Sequence, residues 1–115
     1  VHFMRQGKKP IPMIAEELAN LPVFELVHGI EVLNGCNTPR ENVIALKVSK
    51  VLGKPGTGGS DCHSTSGIGY FCTVFEKDLT STDEMLEELH AGRIRAAHDL
   101  AKGNLTLFHE ESLEQ

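Results

Sequence analysis

The chain has 115 residues, of which 40% are hydrophobic and 23% are charged, and its formal net charge is -5 at pH 7. This length allows one domain with a hydrophobic core but not two, and the acidic balance argues against a dedicated nucleic-acid-binding surface. We expect no membrane span, because no apolar run is long enough to cross a bilayer.

The first predicted elements are a helix and a strand. Residues 12–20 carry apolar side chains at near-helical spacing, with Pro12 in the first turn. Residues 29–33 form a short apolar run that ends at the turn signal Asn34-Gly35. A helix over 12–20 is therefore followed by a strand over 29–33.

The second helix has signals at both ends. Thr38 can serve as N-cap, Pro39 fits the first helical position, and Glu41 completes a capping box. Gly53 is a typical C-terminal stop. Between these ends, one face of the helix is apolar and consists of Ile44, Ala45, Val48, Val51 and Leu52.

The remaining elements follow the same alternation of strands and helices. Residues 54–60 and 70–75 are predicted strands, separated by a glycine-containing loop. A third helix begins with a capping box at Ser81 and stops at Gly92, and residues 93–97 form a last strand. Strands alternating with helices indicate an α/β fold with a parallel sheet. Four strands cannot close a barrel, so sheet edges would be exposed and could mediate self-association.

The most informative motif is Asp61-Cys62-His63, which follows Gly58-Gly59-Ser60. On an extended strand, positions i and i+2 point to the same face, so a carboxylate and an imidazole would reach the same point, as two ligands of one metal must. Glycines before them leave room for a close approach to the backbone. The competing interpretation is a turn aspartate that caps local backbone beside a surface histidine.

Three cysteines, Cys36, Cys62 and Cys72, are an odd number and include no CxxC pair. They indicate free thiols in a reducing cytoplasm and not a disulfide framework. Cys62 alternates with its two neighbours, so we expect it to face away from them as a packed, inert thiol.

Several segments together resemble the polymerase and histidinol phosphatase (PHP) family of metal-dependent phosphoesterases. The matching segments are Gly29-Ile30-Glu31-Val32-Leu33-Asn34-Gly35, the capped helix, Gly58-Gly59-Ser60-Asp61-Cys62-His63, Ile68-Gly69, Thr73-Val74-Phe75 and Glu88-Leu89-His90-Ala91-Gly92-Arg93. The family's usual last motif is Gly-Ser-Asp-Ala-His, so Cys62 replaces an alanine. The resemblance covers roughly residues 29–97 and corresponds to the C-terminal half of the domain.

The resemblance implies a distorted (β/α)7 barrel, of which residues 1–109 would be the C-terminal portion and 110–115 an acidic tail. It also implies up to three divalent metal ions (manganese, zinc or iron) that activate water for the hydrolysis of a phosphate ester. The substrate would be a phosphorylated small molecule, a nucleotide or an oligonucleotide.

The same resemblance implies a set of site residues. Asp61 and His63 match the last ligand motif, and His2 stands where the third motif has His-Pro, although Phe3 replaces the proline. Arg5 resembles an arginine that could meet a substrate phosphate, with a solvated loop charge as the alternative. Glu31 is interpreted as a supporting or structural carboxylate.

The family's first two motifs would lie before Val1, so we expect the chain to be a portion of a longer protein. The alternative function is a non-catalytic remnant or a regulatory domain that works by interaction. A nucleic-acid-binding module is disfavoured by the acidic balance, one tyrosine and no tryptophan. The other histidines (His28, His90, His98 and His109) are expected at the surface. Arg93 and Arg95 fall on one strand face and could bind phosphate, but protection of an exposed edge strand is the preferred interpretation.

Overall fold

The computed structural model describes residues 9–109. Three α-helices and five strands lie in this range, joined by short 3-10 turns at Pro22–Leu26, Thr65–Gly67 and Leu100–Lys102. In chain order they are α1 (Ile11–Ala19), β1 (Ile30–Asn34), α2 (Pro39–Leu52), β2 (Gly56–Gly59), β3 (Phe71–Phe75), α3 (Thr82–Ala91), β4 (Ile94–His98) and β5 (Thr106–Leu107).

The first half of the fold is a parallel β–α–β unit backed by a helix. Strands β1 and β2 pair in parallel, with Ile30 opposite Gly56 and Asn34 opposite Gly59, and α2 is the crossover between them. Helix α2 packs on β1 on one side and on α1 on the other. The core lies between these elements, and its largest fully buried side chains are Ile14, Val32, Leu33, Ile44 and Val48.

Both ends of α2 form as the sequence predicts. The Thr38 side chain accepts a hydrogen bond from the Glu41 N–H at 3.2 Å, and the Glu41 carboxylate accepts one from the Thr38 N–H at 2.8 Å. Gly53 ends the helix in the left-handed region with φ of 66°, a conformation that glycine adopts without the steric cost of a Cβ. The α2 ends are therefore fixed by local chemistry.

The second half is antiparallel, and here the expectation of a wholly parallel sheet is wrong. Strands β3, β4 and β5 form a three-stranded antiparallel sheet, in which Phe71 lies opposite His98 and Phe75 opposite Ile94. Pairing continues beyond the strand ends, since the Glu76 N–H donates to the Arg93 carbonyl at 3.3 Å. Helix α3 therefore fills the connection of an antiparallel pair and does not cross the sheet. Among the described residues the fold is a mixed α/β domain with no barrel evident.

Close backbone contact joins the two sheets. Strand β2 packs against β3 and β4, and a Cβ added at Gly58 would lie 2.3 Å from the Cys72 carbonyl oxygen. The glycines of β2 were expected to admit a close approach, and the group that approaches Gly58 is the backbone of β3. The absence of a side chain at Gly58 is therefore a requirement of the fold.

Helix α3 is less buried than α2. It begins at Ser81, whose side chain accepts from the Glu84 N–H at 3.1 Å, while the Glu84 carboxylate accepts from the Thr80 N–H at 2.9 Å. Glu88 is its only buried residue, and Met85 and Leu86 are exposed. In residues 9–109 no helix combines the length and the hydrophobicity that crossing a bilayer requires.

Candidate metal centre

A tight turn at the carboxyl end of β1 positions Cys36. The Asn34 side-chain oxygen accepts a hydrogen bond from the Cys36 N–H at 2.8 Å, and the Asn37 N–H donates to the Asn34 carbonyl at 3.2 Å. Between them, the Gly35 N–H donates to the Gly59 carbonyl at 3.1 Å. These bonds hold the Cys36 backbone against the end of β2.

The same turn has no room for a side chain at its second position. A Cβ added at Gly35 would lie 2.1 Å from the carbonyl oxygen of Ser60. The segments after β1 and after β2 therefore run in direct backbone contact, which sets the distance between the side chains that follow.

A buried amide network anchors this turn to α2. The Asn42 side chain accepts from the Asn34 N–H at 3.0 Å and donates to the Asn34 carbonyl at 3.3 Å. The Asn34 side-chain amide donates in turn to a Glu31 carboxylate oxygen at 2.5 Å. Asn34 and Asn42 are both buried, so a rigid helix fixes the orientation of the residue that holds Cys36. Glu31 is linked to this turn through Asn34, and its role as a supporting carboxylate of a metal site stays a prediction.

Asp61 leaves β2 through a change of backbone direction. The strand ends at Gly59, and Asp61 has a φ of 49°, in the left-handed region. The expectation that Asp61 and His63 lie on one face of an extended strand is therefore wrong, because neither residue belongs to the strand. The two side chains nevertheless converge, because the chain turns at Asp61 instead of continuing straight.

Three potential ligands come together at the carboxyl ends of the parallel strands. The Cys36 sulfur, an Asp61 carboxylate oxygen and a His63 ring nitrogen all lie within 4.8 Å of one another, and all three residues are exposed. The strand register explains part of this: Asn34 lies opposite Gly59, and Cys36 and Asp61 each follow two positions later. The cluster thus forms where two paired strands end side by side.

The thiol of the cluster is oriented toward Asp61. The Cys36 sulfur lies 3.3 Å from the Asp61 carbonyl oxygen, to which its S–H donates. Desolvation by neighbouring atoms, followed by the negative charge of Asp61, raises the pKa of Cys36 above its usual value. Without a cation, Cys36 is therefore held as a neutral thiol, whereas a cation between the three groups would favour the thiolate.

The donor set fits a divalent metal. Zinc binds cysteine sulfur, histidine nitrogen and carboxylate oxygen at about 2.0–2.3 Å in a tetrahedron, so its ligands lie roughly 3.3–3.8 Å apart. The separations of up to 4.8 Å in this cluster need only small movements of exposed side chains to reach that geometry. Three protein ligands would leave one position open, as in catalytic zinc sites.

Comparison with known proteins found one matching family. A family model described as PHP-associated (PHP_C) matches residues 39–94, from the first residue of α2 to the first residue of β4. The match supports a PHP-family C-terminal region over residues 39–94. Neither the curated proteins nor the solved structures contain a match to the chain.

The PHP-associated region contains two of the predicted ligands, Asp61 and His63, and the structure brings both into the cluster. The other two predicted site residues, His2 and Arg5, lie outside the described residues. Cys62 is exposed, so the expectation of a packed thiol is wrong.

Cys36 was not among the residues that the sequence singled out. It lies just before the PHP-associated region, and its role depends on the register between β1 and β2. One signal in the sequence could have identified Cys36. It directly follows the predicted strand end at Asn34-Gly35, and that strand was expected to run parallel to the strand that precedes Asp61. Side chains after neighbouring parallel strands meet at one sheet edge.

Among the described histidines, the cluster contains His63 alone. His28 and His90 stack with ring centroids 4.7 Å apart, and the His98 ring lies 3.1 Å from the Asp99 carboxylate. Arg93 binds the buried Glu88 carboxylate, and β4 is the central strand of its sheet. The interpretation of Arg93 and Arg95 as protection for an edge strand is therefore wrong.

Proposed function

We propose that this chain supplies one part of the divalent-metal centre of a phosphoesterase. The observation that carries the proposal is the convergence of Cys36, Asp61 and His63 at the ends of two parallel strands. Membership of Asp61 and His63 in the PHP-associated region supports the same function, because the family that the sequence resembles hydrolyses phosphate esters with bound metals.

In this proposal each residue has a defined part. Asp61 supplies an anionic oxygen, His63 a neutral nitrogen, and together they hold a manganese, zinc or iron ion at the open edge of the β1–β2 sheet. A bound divalent cation supplies Lewis acidity toward a phosphoryl oxygen and toward water. It also reverses the local field of a chain whose net charge is -5, so an anionic phosphate ester can approach.

The proposal extends to residues outside the described range. His2 would add a further ligand and Arg5 would contact the substrate phosphate, as the resemblance implies. The substrate would be a phosphorylated small molecule, a nucleotide or an oligonucleotide. Further ligands of a centre with several metals would come from the part of the protein that carries the family's first motifs.

A second candidate function is a non-catalytic domain that works by interaction. The observation that favours it is the exposure of apolar side chains on α3, where Met85 and Leu86 lie at the surface. The three donors of the cluster are also all exposed, whereas catalytic metals commonly act in sites that exclude bulk water.

Activity measurements on the intact protein distinguish these functions. The double substitution Asp61→Ala and His63→Ala should abolish metal-dependent hydrolysis of a generic phosphate ester such as p-nitrophenyl phosphate, with circular dichroism showing a retained fold. A matched control replaces an exposed aspartate and an exposed histidine elsewhere, Asp78→Ala and His109→Ala, and should keep activity. Full metal-dependent activity in the first variant would refute the assignment.

A further inference from the structure

The cluster contains one donor that the resemblance does not provide, the sulfur of Cys36. We infer that Cys36 is a direct thiolate ligand of the metal and that it makes the site selective for zinc-like cations over manganese and magnesium. This inference rests on the proposed function, since it requires that Asp61 and His63 bind a cation.

The position of Cys36 is built into the fold and does not depend on a mobile loop. Its N–H is held by the Asn34 side chain, and Asn34 is held at both backbone groups by Asn42 of α2. The preceding residue, Gly35, is bonded to Gly59 at the end of β2. The sulfur is therefore brought to the Asp61 and His63 side chains by contacts between two strands and a helix.

The hydrogen bonding of the thiol also fits a ligand. Its S–H points to the Asp61 carbonyl oxygen at 3.3 Å, a weak contact that a metal bond would replace at little cost. When the cation binds, the S–H bond breaks, its electron pair forms the metal–sulfur bond, and the proton passes to the solvent. The step needs no oxidant or reductant.

Selectivity follows from the nature of the donor. Carboxylate oxygens suit magnesium and manganese, imidazole suits zinc, copper, iron and nickel, and soft thiolates favour zinc and copper(I). Asp61 and His63 alone form a mixed pair that discriminates little among divalent metals. Adding the Cys36 sulfur shifts the set toward zinc and toward cobalt, its usual spectroscopic substitute.

Cys62, which lies in the segment that follows β2, is an internal control for the proposed role of Cys36. It lies between the two other ligands in the sequence and is exposed like Cys36. Within the described part of the chain, however, the group of potential ligands contains Cys36 and not Cys62. Nonspecific binding of a metal to exposed thiols would involve both cysteines, whereas coordination within the cluster would involve Cys36 alone.

Cobalt spectroscopy on the 115-residue chain tests the inference. Titration with Co²⁺ should produce a near-ultraviolet thiolate-to-cobalt charge-transfer band together with visible ligand-field bands. Cys36→Ser should remove the charge-transfer band and lower zinc affinity by at least about tenfold, since even the loss of a residue that only supports a ligand costs about 10–100-fold. Manganese affinity should change far less, and Cys62→Ser should behave as the wild type.

A second measurement needs no substitution and so does not depend on the folding of a variant. Saturating zinc should slow alkylation of Cys36 by iodoacetamide, followed by mass spectrometry, while Cys62 continues to react. If metal binds without a charge-transfer band and Cys36 alkylates at an unchanged rate, the thiolate inference is overturned and the proposed function stands. If no metal binds to the wild-type chain at all, the thiolate inference fails, whereas the proposed function is tested by the activity of the intact protein.

Discussion

The Thr73 hydroxyl binds both backbone groups of Gly58: it donates to the Gly58 carbonyl at 2.8 Å and accepts from the Gly58 N–H at 2.9 Å. Thr73 lies in the antiparallel sheet and Gly58 in the parallel one. One side chain thus joins the two sheets just before the segment that carries Asp61 and His63.

Replacing Thr73 by valine should destabilise the domain. The two side chains have similar shapes, but valine leaves the half-buried Gly58 N–H and carbonyl without their partner. We expect a loss of about 1–3 kcal/mol in the free energy of unfolding, measured by urea denaturation. Thr73→Ser keeps the hydroxyl and should lose much less. Equal losses in the two variants would show that the methyl group, and not the hydrogen bonds, matters.

Adjacent glycines of β2 should respond differently to alanine. At Gly58 the new Cβ would lie 2.3 Å from the backbone oxygen of Cys72, which cannot move alone, whereas at Gly59 it would meet the flexible end of Glu31 at 3.2 Å. Gly58→Ala should cost about 3 kcal/mol or more of unfolding free energy. Gly59→Ala should change it by less than about 1 kcal/mol. Similar thermal unfolding midpoints for the two variants would contradict the close packing of β2 on β3.

Asn34 should influence metal binding without touching the metal. Asn34→Ala removes the acceptor of the Cys36 N–H and the donor to Glu31, so the sulfur loses its fixed position. Zinc affinity, measured by calorimetry, should fall about 10–100-fold. The matched control is Asn104→Ala, which replaces an exposed asparagine outside the cluster. Unchanged zinc affinity in Asn34→Ala would mean that the turn does not position a ligand.

Glu84 should give a defined pH dependence at the start of α3. The hydrogen bond from the Thr80 N–H is the main cause that lowers the pKa of Glu84 from its usual 4.5, and Lys77 adds to it. Because the folded-state pKa is the lower one, this stabilisation is fully present above pH 4.5 and is lost as the pH falls through the folded-state value.

Two measurements examine this dependence. The Glu84 side-chain carboxyl, followed by NMR, should titrate with a midpoint below 4.5. The wild type should also be more stable than Glu84→Gln at neutral pH, and the difference should shrink in acid. A difference that grows with acidification would have the opposite sign and would contradict the assigned hydrogen bond.

Local signals in the sequence were sufficient for the helices and most strands. Thr38, Glu41 and Gly53 form α2 caps whose partners lie within four residues, so the pattern alone determines them. In the capping box of α3 the Ser81 half formed, but the Glu84 carboxylate binds Thr80 instead of Ser81. Strand β5 was not predicted, because its two residues pair only with β4.

Strand direction and the presence of Cys36 in the cluster could not be predicted, because both depend on contacts between distant residues. A helix between two strands usually implies parallel pairing, but β3 and β4 pair in antiparallel orientation, and a further hydrogen bond joins Glu76 to Arg93 across the connection that contains α3. Likewise, Cys36 joins Asp61 only through the register of β1 with β2. The proximity of Asp61 and His63 could be predicted, because they lie within one short motif, and their role as metal ligands stays a prediction.

Anomalous diffraction at the zinc absorption edge, from crystals of the 115-residue chain grown with zinc, tests the central claim most directly. The account predicts one strong peak at bonding distance from the Cys36 sulfur, an Asp61 carboxylate oxygen and a His63 ring nitrogen. A peak bonded to other side chains, or zinc-containing crystals with no peak between these three residues, would contradict it.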